Sequence, residues 1–123
     1  RGFLPGDLKP PEDFAADDYP RFNPRFQADN FKRNLALVER VKALAADKGI
    51  SASQLALGWV LAQGDYVIPI PGTKQRKYLE SNVAAASVVL SADELAHLDG
   101  IFAGEGVVAG ERYQAQTMTL LNG

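Results

Sequence analysis

Lys74, Arg76 and Lys77 crowd the stretch YVIPIPGTKQRKYLESN, residues 66–82, just after Pro71-Gly72-Thr73. The pattern reads as a short apolar strand, a Pro-Gly turn and a helix whose first turn is positively charged. A helix N-terminus carries about half a positive charge and leaves its first N–H groups unpaired. Each cation there costs roughly 0.3–1 kcal/mol at a surface, so the three together cost on the order of 1–3 kcal/mol, less in salt. A phosphate would reverse the sign of all these terms at once. Thr73 offers a hydroxyl, and Gly72 lacks a side chain that would keep an incoming group from the backbone. These residues form a candidate phosphate site. A solvated basic patch uses the same residues, and spacing alone does not separate the two.

Little else in the chain competes for chemistry. With no cysteine and one histidine, disulfides, thiolate zinc sites and histidine clusters are excluded. His97 stands among Asp93, Glu94 and Asp99 without ligand spacing and reads as a surface or boundary residue. Gly104, Gly106 and Gly110 miss the dinucleotide-binding spacing, and no convincing strand precedes them. A net charge of −2 and a pI near 5.3 give no general attraction to nucleic acid or to an anionic membrane. No apolar run approaches the ~18 residues of a membrane span, and no signal-peptide pattern opens the chain. A cytoplasmic protein is expected.

Elements must position the phosphate site. Val67, Ile68 and Ile70 predict a strand at 66–70, an apolar run suited to burial on both faces of a parallel sheet. Pro69 pulls the other way, toward an edge or a strand end. A helix from about Lys74 to Ala85 follows. Upstream, Phe31, Leu35, Val38, Val41, Leu44 and Ala45 recur at helical steps and predict a helix over about 30–48, stopped by Gly49 as a left-handed cap. Ser51-x-x-Gln54 is a capping box opening a helix to about Gln63, and Ser91-x-x-Glu94 opens another to about Phe102. The middle one is apolar nearly all round, with Ala52, Leu55, Ala56 and Trp59 on one face and Leu57, Val60 and Leu61 on the other, which predicts burial on two sides. Gly58 inside it implies a close neighbour, since it costs roughly 1 kcal/mol against alanine. Residues 1–30, punctuated by Pro5, Pro10, Pro11, Pro20 and Pro24, predict a long loop, and 103–123 a loop and tail.

Several of these stretches together resemble one family, the aldo-keto reductases. IPIPGTKQRKYLESN is similar to the end of that family's last barrel strand and the helix after it. RGFLPG is similar to a stretch that follows the seventh strand, residues 20–63 to the segment between, and VAGERYQAQTMTLLNG to the C-terminal tail. The resemblance implies an α/β fold: the C-terminal portion of a (β/α)8 TIM barrel, mostly helical as given. It implies binding of NADPH, with Arg1, Gly2, Phe3, Leu4 and Gly6 along the pyrophosphate and Ile70 and Gly72 as backbone contacts. Thr73 would give a hydroxyl to the 2′-phosphate, and Lys74 and Arg76 its charge partners. Tyr78, Ser81 and Asn82 fall around the phosphate and adenine. Many relatives carry Arg at the Tyr78 position and Glu at the Ser81 position, so here the charge falls to Lys74 and Arg76. The loop over 1–30 would overhang the active-site mouth, with Phe22 and Phe26 the candidates for substrate contact.

One good strand, plus a stub at Phe3-Leu4, cannot satisfy its own backbone or bury two apolar faces. The chain therefore reads as part of a larger α/β protein, since such barrels need about 250 residues. The family's catalytic Asp-Tyr-Lys-His set belongs to the first half of the barrel, and none of its motifs is here. Tyr19, Tyr66, Tyr78 and Tyr113 match non-catalytic segments. The resemblance implies an oxidoreductase that reduces aldehydes or ketones by hydride transfer, its partners a small carbonyl substrate and the missing part of the barrel. Two alternatives remain: a truncated or split non-catalytic module that binds a phosphate ligand or completes a barrel with another chain, and an unrelated phosphate-binding helical domain.

Overall fold

The computed structural model describes residue 13, residues 22–102 and residues 108–121. A single 3-10 turn, Pro24–Phe26, leads into α1, Ala28–Asp47; α2 spans Ala52–Leu61, α3 Arg76–Ala84, α4 Ala92–Phe102 and α5 Ala115–Met118. A second 3-10 turn, Ala85–Ser87, continues α3. The boundaries follow local chemistry. Asn23 caps the first turn by accepting from the Arg25 amide at 3.0 Å, and Pro24 suits a first helical position. Gly49 takes the left-handed conformation, φ +71°, just past the end of α1.

Both predicted capping boxes form. Ser51 Oγ accepts from the Gln54 amide at 3.2 Å while Gln54 Oε1 accepts from the Ser51 amide at 3.0 Å. Ser91 Oγ accepts from the Glu94 amide at 3.2 Å, and Glu94 Oε2 accepts from the Ser91 amide at 2.7 Å. Each box satisfies donors that the first helical turn leaves unpaired.

The core lies where α1, α2 and α4 meet, on Val41, Ala45, Ala52, Leu55, Leu98 and Ile101. Gly58 earns its place as predicted: a Cβ there would sit 3.0 Å from Val88 Cγ1, so α2 and the extended 88–90 segment touch. Trp59 binds α2 to α4, its Nε1–H donating to Asp99 Oδ1 at 2.7 Å and its ring 4.9 Å from that of Phe102. Lys48, at the end of α1, donates to both Glu94 oxygens at 2.7 and 3.0 Å. His97 is exposed, as expected.

Three expectations need correction. The strand at 66–70 does not form; residues 67–73 take no regular secondary structure, and no strand occurs among the described residues. A strand exists only where a neighbour supplies the other half of its hydrogen bonds. The second apolar face of α2 is likewise only partly covered, with Leu57 and Val60 half-buried and Leu61 exposed. The site helix starts two residues later than predicted, at Arg76, and Lys74 lies outside it. The stub at Phe3-Leu4 lies outside the described residues.

Candidate functional site

The positive stretch is built on a short turn. Thr73 Oγ1 accepts from the Gln75 amide at 3.1 Å and donates to the Gln75 carbonyl at 3.2 Å, which holds the chain in a tight loop before α3. Gln75 is the cap of α3 but makes no side-chain cap bond, and the first turn holds no acidic residue. Among the described residues, the amides of Arg76 and Lys77 donate to nothing, and neither Lys74 nor Arg76 has a carboxylate within ion-pair distance. By contrast, α4 opens on Asp93 and Glu94. Among the described residues, nothing compensates the positive end of α3.

Gly72 is open, with nothing within 4 Å of where a Cβ would stand. Ile70 is 93% exposed. Lys77 Nζ lies 4.7 Å from the centre of the Tyr78 ring, so among the described residues this cation already has a partner. On the far side, α3 is fastened to the core: Gln54 Nε2 donates to the Ser81 carbonyl at 3.1 Å. Gln54 therefore completes the α2 capping box and anchors α3. Ser81 and Asn82 are half-buried at that seam, and Tyr78 is half-exposed. The structure thus brings Gly72, Thr73, Lys74 and Arg76 together at one helix start. Arg1, Gly2, Phe3, Leu4 and Gly6 lie outside the described residues.

A second feature escaped the sequence reading. Asn34 is buried on α1, at 4% exposure, and its side chain clasps the C-terminal segment. Its Nδ2 donates to the Ala109 carbonyl at 2.9 Å and the Arg25 carbonyl at 3.1 Å, while its Oδ1 accepts from the Ala109 amide at 2.7 Å. Arg25 Nε adds a bond to the Gly110 carbonyl at 3.3 Å, and Asn30 Nδ2 one to the Pro24 carbonyl at 2.9 Å. The signal was available: Asn34 falls on the same stripe as Phe31, Val38 and Val41, where an amide must find buried partners.

Beside the clasp opens a cleft of about 410 Å³ with Leu37, Val38, Val41 and Phe102 on its walls and Arg25 and Arg112 among its polar groups. Phe26, one candidate for substrate contact, is 4% exposed and sits against Phe31 with its edge on this cleft; Phe22 is exposed. The cleft includes none of the residues at the start of α3. Among the described residues no cluster of side chains could hold a metal ion, and no helix is long and apolar enough to cross a membrane.

Comparison with known proteins agrees with the resemblance. Residues 1–103 match the model of the aldo/keto reductase family. The chain is 50% identical over 91 residues to aldo-keto reductase yakc [NADP(+)] of Schizosaccharomyces pombe, covering 74% of this chain and 27% of that protein. It is 43% identical over 112 residues to aldo-keto reductase str7 of Strobilurus tenacellus, covering 91% of this chain and 33% of that one. It therefore spans about a third or less of the length of these relatives. No solved structure matches it. The family implies a TIM barrel, and the match over residues 1–103 places the chain in the aldo/keto reductase family.

Proposed function

We propose that this chain is the C-terminal, cofactor-binding part of an NADPH-dependent oxidoreductase that reduces aldehydes or ketones to alcohols. The observation that carries the reading is the start of α3: a helix end with no side-chain cap, two cations without carboxylate partners among the described residues, and an open glycine before them. That arrangement fits the 2′-phosphate by which NADPH differs from NADH. Lys74 and Arg76 would neutralise the phosphate, the amides of Arg76 and Lys77 would donate to it, and Thr73 would turn its hydroxyl from Gln75 toward it. The name of the fission-yeast relative, which cites NADP(+), supports the same choice of cofactor.

The bound nucleotide would supply a hydride to a carbonyl carbon. The work of this chain is to hold the adenosine end: Gln54 donates to the Ser81 carbonyl and pins α3 to α2, so the grip is attached to a packed core. The proton donor to the carbonyl oxygen would come from residues beyond this sequence, because none of its tyrosines lies in a segment matching the catalytic one. A non-catalytic module that binds a phosphate ligand is the second reading, favoured by the same helix start and by the absence of those motifs.

The test is binding of NADPH and NADH to the chain and to Lys74→Ala/Arg76→Ala, followed by titration calorimetry. The double variant should weaken NADPH by at least about tenfold, since exposed hydrogen bonds to charged groups are each worth roughly 1 kcal/mol or more. NADH should change little. Equal loss for both would mean that the cations do not read the 2′-phosphate.

A further inference from the structure

We propose that the cleft between α1, α4 and the 108–112 segment is a binding site for a small organic carboxylate with an apolar body, separate from the start of α3. The proposal does not rest on the cofactor reading, since none of the residues at the start of α3 lines the cleft. Pockets that take small molecules run to about 300–1,000 Å³, mostly apolar with a few placed polar groups. This one, at about 410 Å³, has that size and that make-up.

Its walls are apolar and still partly open. Val38 is buried, while Leu37, Phe102 and Val108 are half-buried, so they keep surface that a ligand can cover. Arg25 is half-buried and Arg112 exposed, which puts positive charge on the side nearer water.

Polar groups on the lining sort into two kinds. The amides of Asn23 and Asn34 are spent within the chain. Asn23 accepts from the Arg25 amide at 3.0 Å and donates to the Arg112 carbonyl at 3.4 Å, and Asn34 holds Ala109 and the Arg25 carbonyl. The guanidinium groups are not spent. Arg25 uses Nε on the Gly110 carbonyl at 3.3 Å, which leaves its terminal nitrogens, and the Arg112 guanidinium carbon stands 5.5 Å from the centre of the Tyr113 ring. Among the described residues neither arginine has a carboxylate within ion-pair distance, and no acidic residue lines the cleft. Glu111, next to Arg112 in sequence, is exposed and outside the lining. Two cations without an anion, beside an apolar wall, select a carboxylate on an apolar body, because a guanidinium fork matches a carboxylate. A neutral ligand of the same shape leaves both charges unmet, and a cationic one is repelled.

Backbone contacts hold the two arginine-bearing segments together before any ligand arrives. Gly110 has φ +86°, and a Cβ there would stand 2.8 Å from the Pro24 carbonyl oxygen, so the segments touch with no room for a side chain. Asn34 on Ala109 and Arg25 on Gly110 fasten the same contact. A site held in this way loses less freedom on binding. A ligand that touches both segments in turn stabilises the clasp by mass action.

The experiment titrates 4-phenylbutyrate into the 123-residue chain and reads amide chemical shifts and the thermal midpoint, with 4-phenylbutanamide and 4-phenylbutanal as neutral probes. Shifts should centre on Leu37, Val38, Phe102 and Val108, with a Kd on the order of 1 mM or tighter, and the midpoint should rise with ligand. Both neutral probes should bind at least about fivefold more weakly. So should the carboxylate to Arg112→Gln, an exposed change that leaves the backbone carbonyl held by Asn23 in place. Arg112→Lys should recover part of the affinity, and Leu37→Trp, which fills the cleft, should abolish the shifts. Adenosine 2′,5′-bisphosphate should not displace the carboxylate. The site is overturned if the carboxylate shifts none of these amides, if either neutral probe binds as well, or if Arg112→Gln binds like wild type. Displacement by the bisphosphate would overturn it too, by putting the carboxylate at the start of α3.

Discussion

Removing the amide of Asn34 would leave the Arg25 carbonyl, the Ala109 carbonyl and the Ala109 amide without their partner in the interior. Each buried backbone group left unsatisfied costs roughly 1–3 kcal/mol, and the two Ala109 groups are buried, so Asn34→Ala should destabilise the chain by about 2–6 kcal/mol in urea unfolding. Asn34→Asp should fare little better, because a carboxylate cannot donate to the two carbonyls. Glu94 makes a prediction in pH. Hydrogen bonding from Lys48, then from the Ser91 amide, holds its carboxyl below the ordinary value of 4.5, against a smaller opposing effect of desolvation. A folded pKa below the unfolded one means that Glu94 contributes stability above the unfolded value and loses it as pH falls through the folded one. The thermal midpoint should therefore drop as pH is lowered below about 4.5, and Glu94→Gln, which keeps an acceptor for the Ser91 amide, should flatten that part of the profile.

Among elements, α2 is the most informative. Helix propensity alone would make Gly58→Ala stabilising by about 1 kcal/mol. The added methyl would meet Val88 at 3.0 and 3.2 Å, and overpacking of that kind costs typically 1–3 kcal/mol. The net expectation is a loss of about 1 kcal/mol in chemical denaturation, recovered at least in part by Val88→Ala in the double variant. Helix ends were legible because capping is local: Ser51 with Gln54 and Ser91 with Glu94 form the boxes that their spacing announces. The start of α3 was less so. Thr73 spends its hydroxyl on the Gln75 turn, which moves the first helical residue to Arg76 and leaves Lys74 ahead of it.

Among the described residues, the molecule has a helical core and an apolar segment, 66–70, that the core does not cover. Family membership and the share of the relatives spanned by this chain make sense of that surplus. If the catalytic set lies outside this sequence, the purified 123-residue chain should not oxidise NADPH in the presence of 4-nitrobenzaldehyde. Turnover by the chain alone, with its intact mass verified as 13.3 kDa, would refute that division of labour.

Sequence by itself determined what depends on near neighbours or on family pattern. The stripe on α1, both capping boxes, the left-handed Gly49, the close approach at Gly58 and the positive stretch at 74–77 were all readable there. So was the family, because its motifs survive in order along the chain. Tertiary structure alone decided what depends on residues far apart. It joined Asn34 to Ala109 and Gln54 to Ser81, contacts that no local spacing records. It also left Tyr66, Ile68 and Ile70 in water although their composition asks for a sheet. A helix closes its hydrogen bonds within itself, whereas a strand is completed only by another strand, and here the described residues contain none.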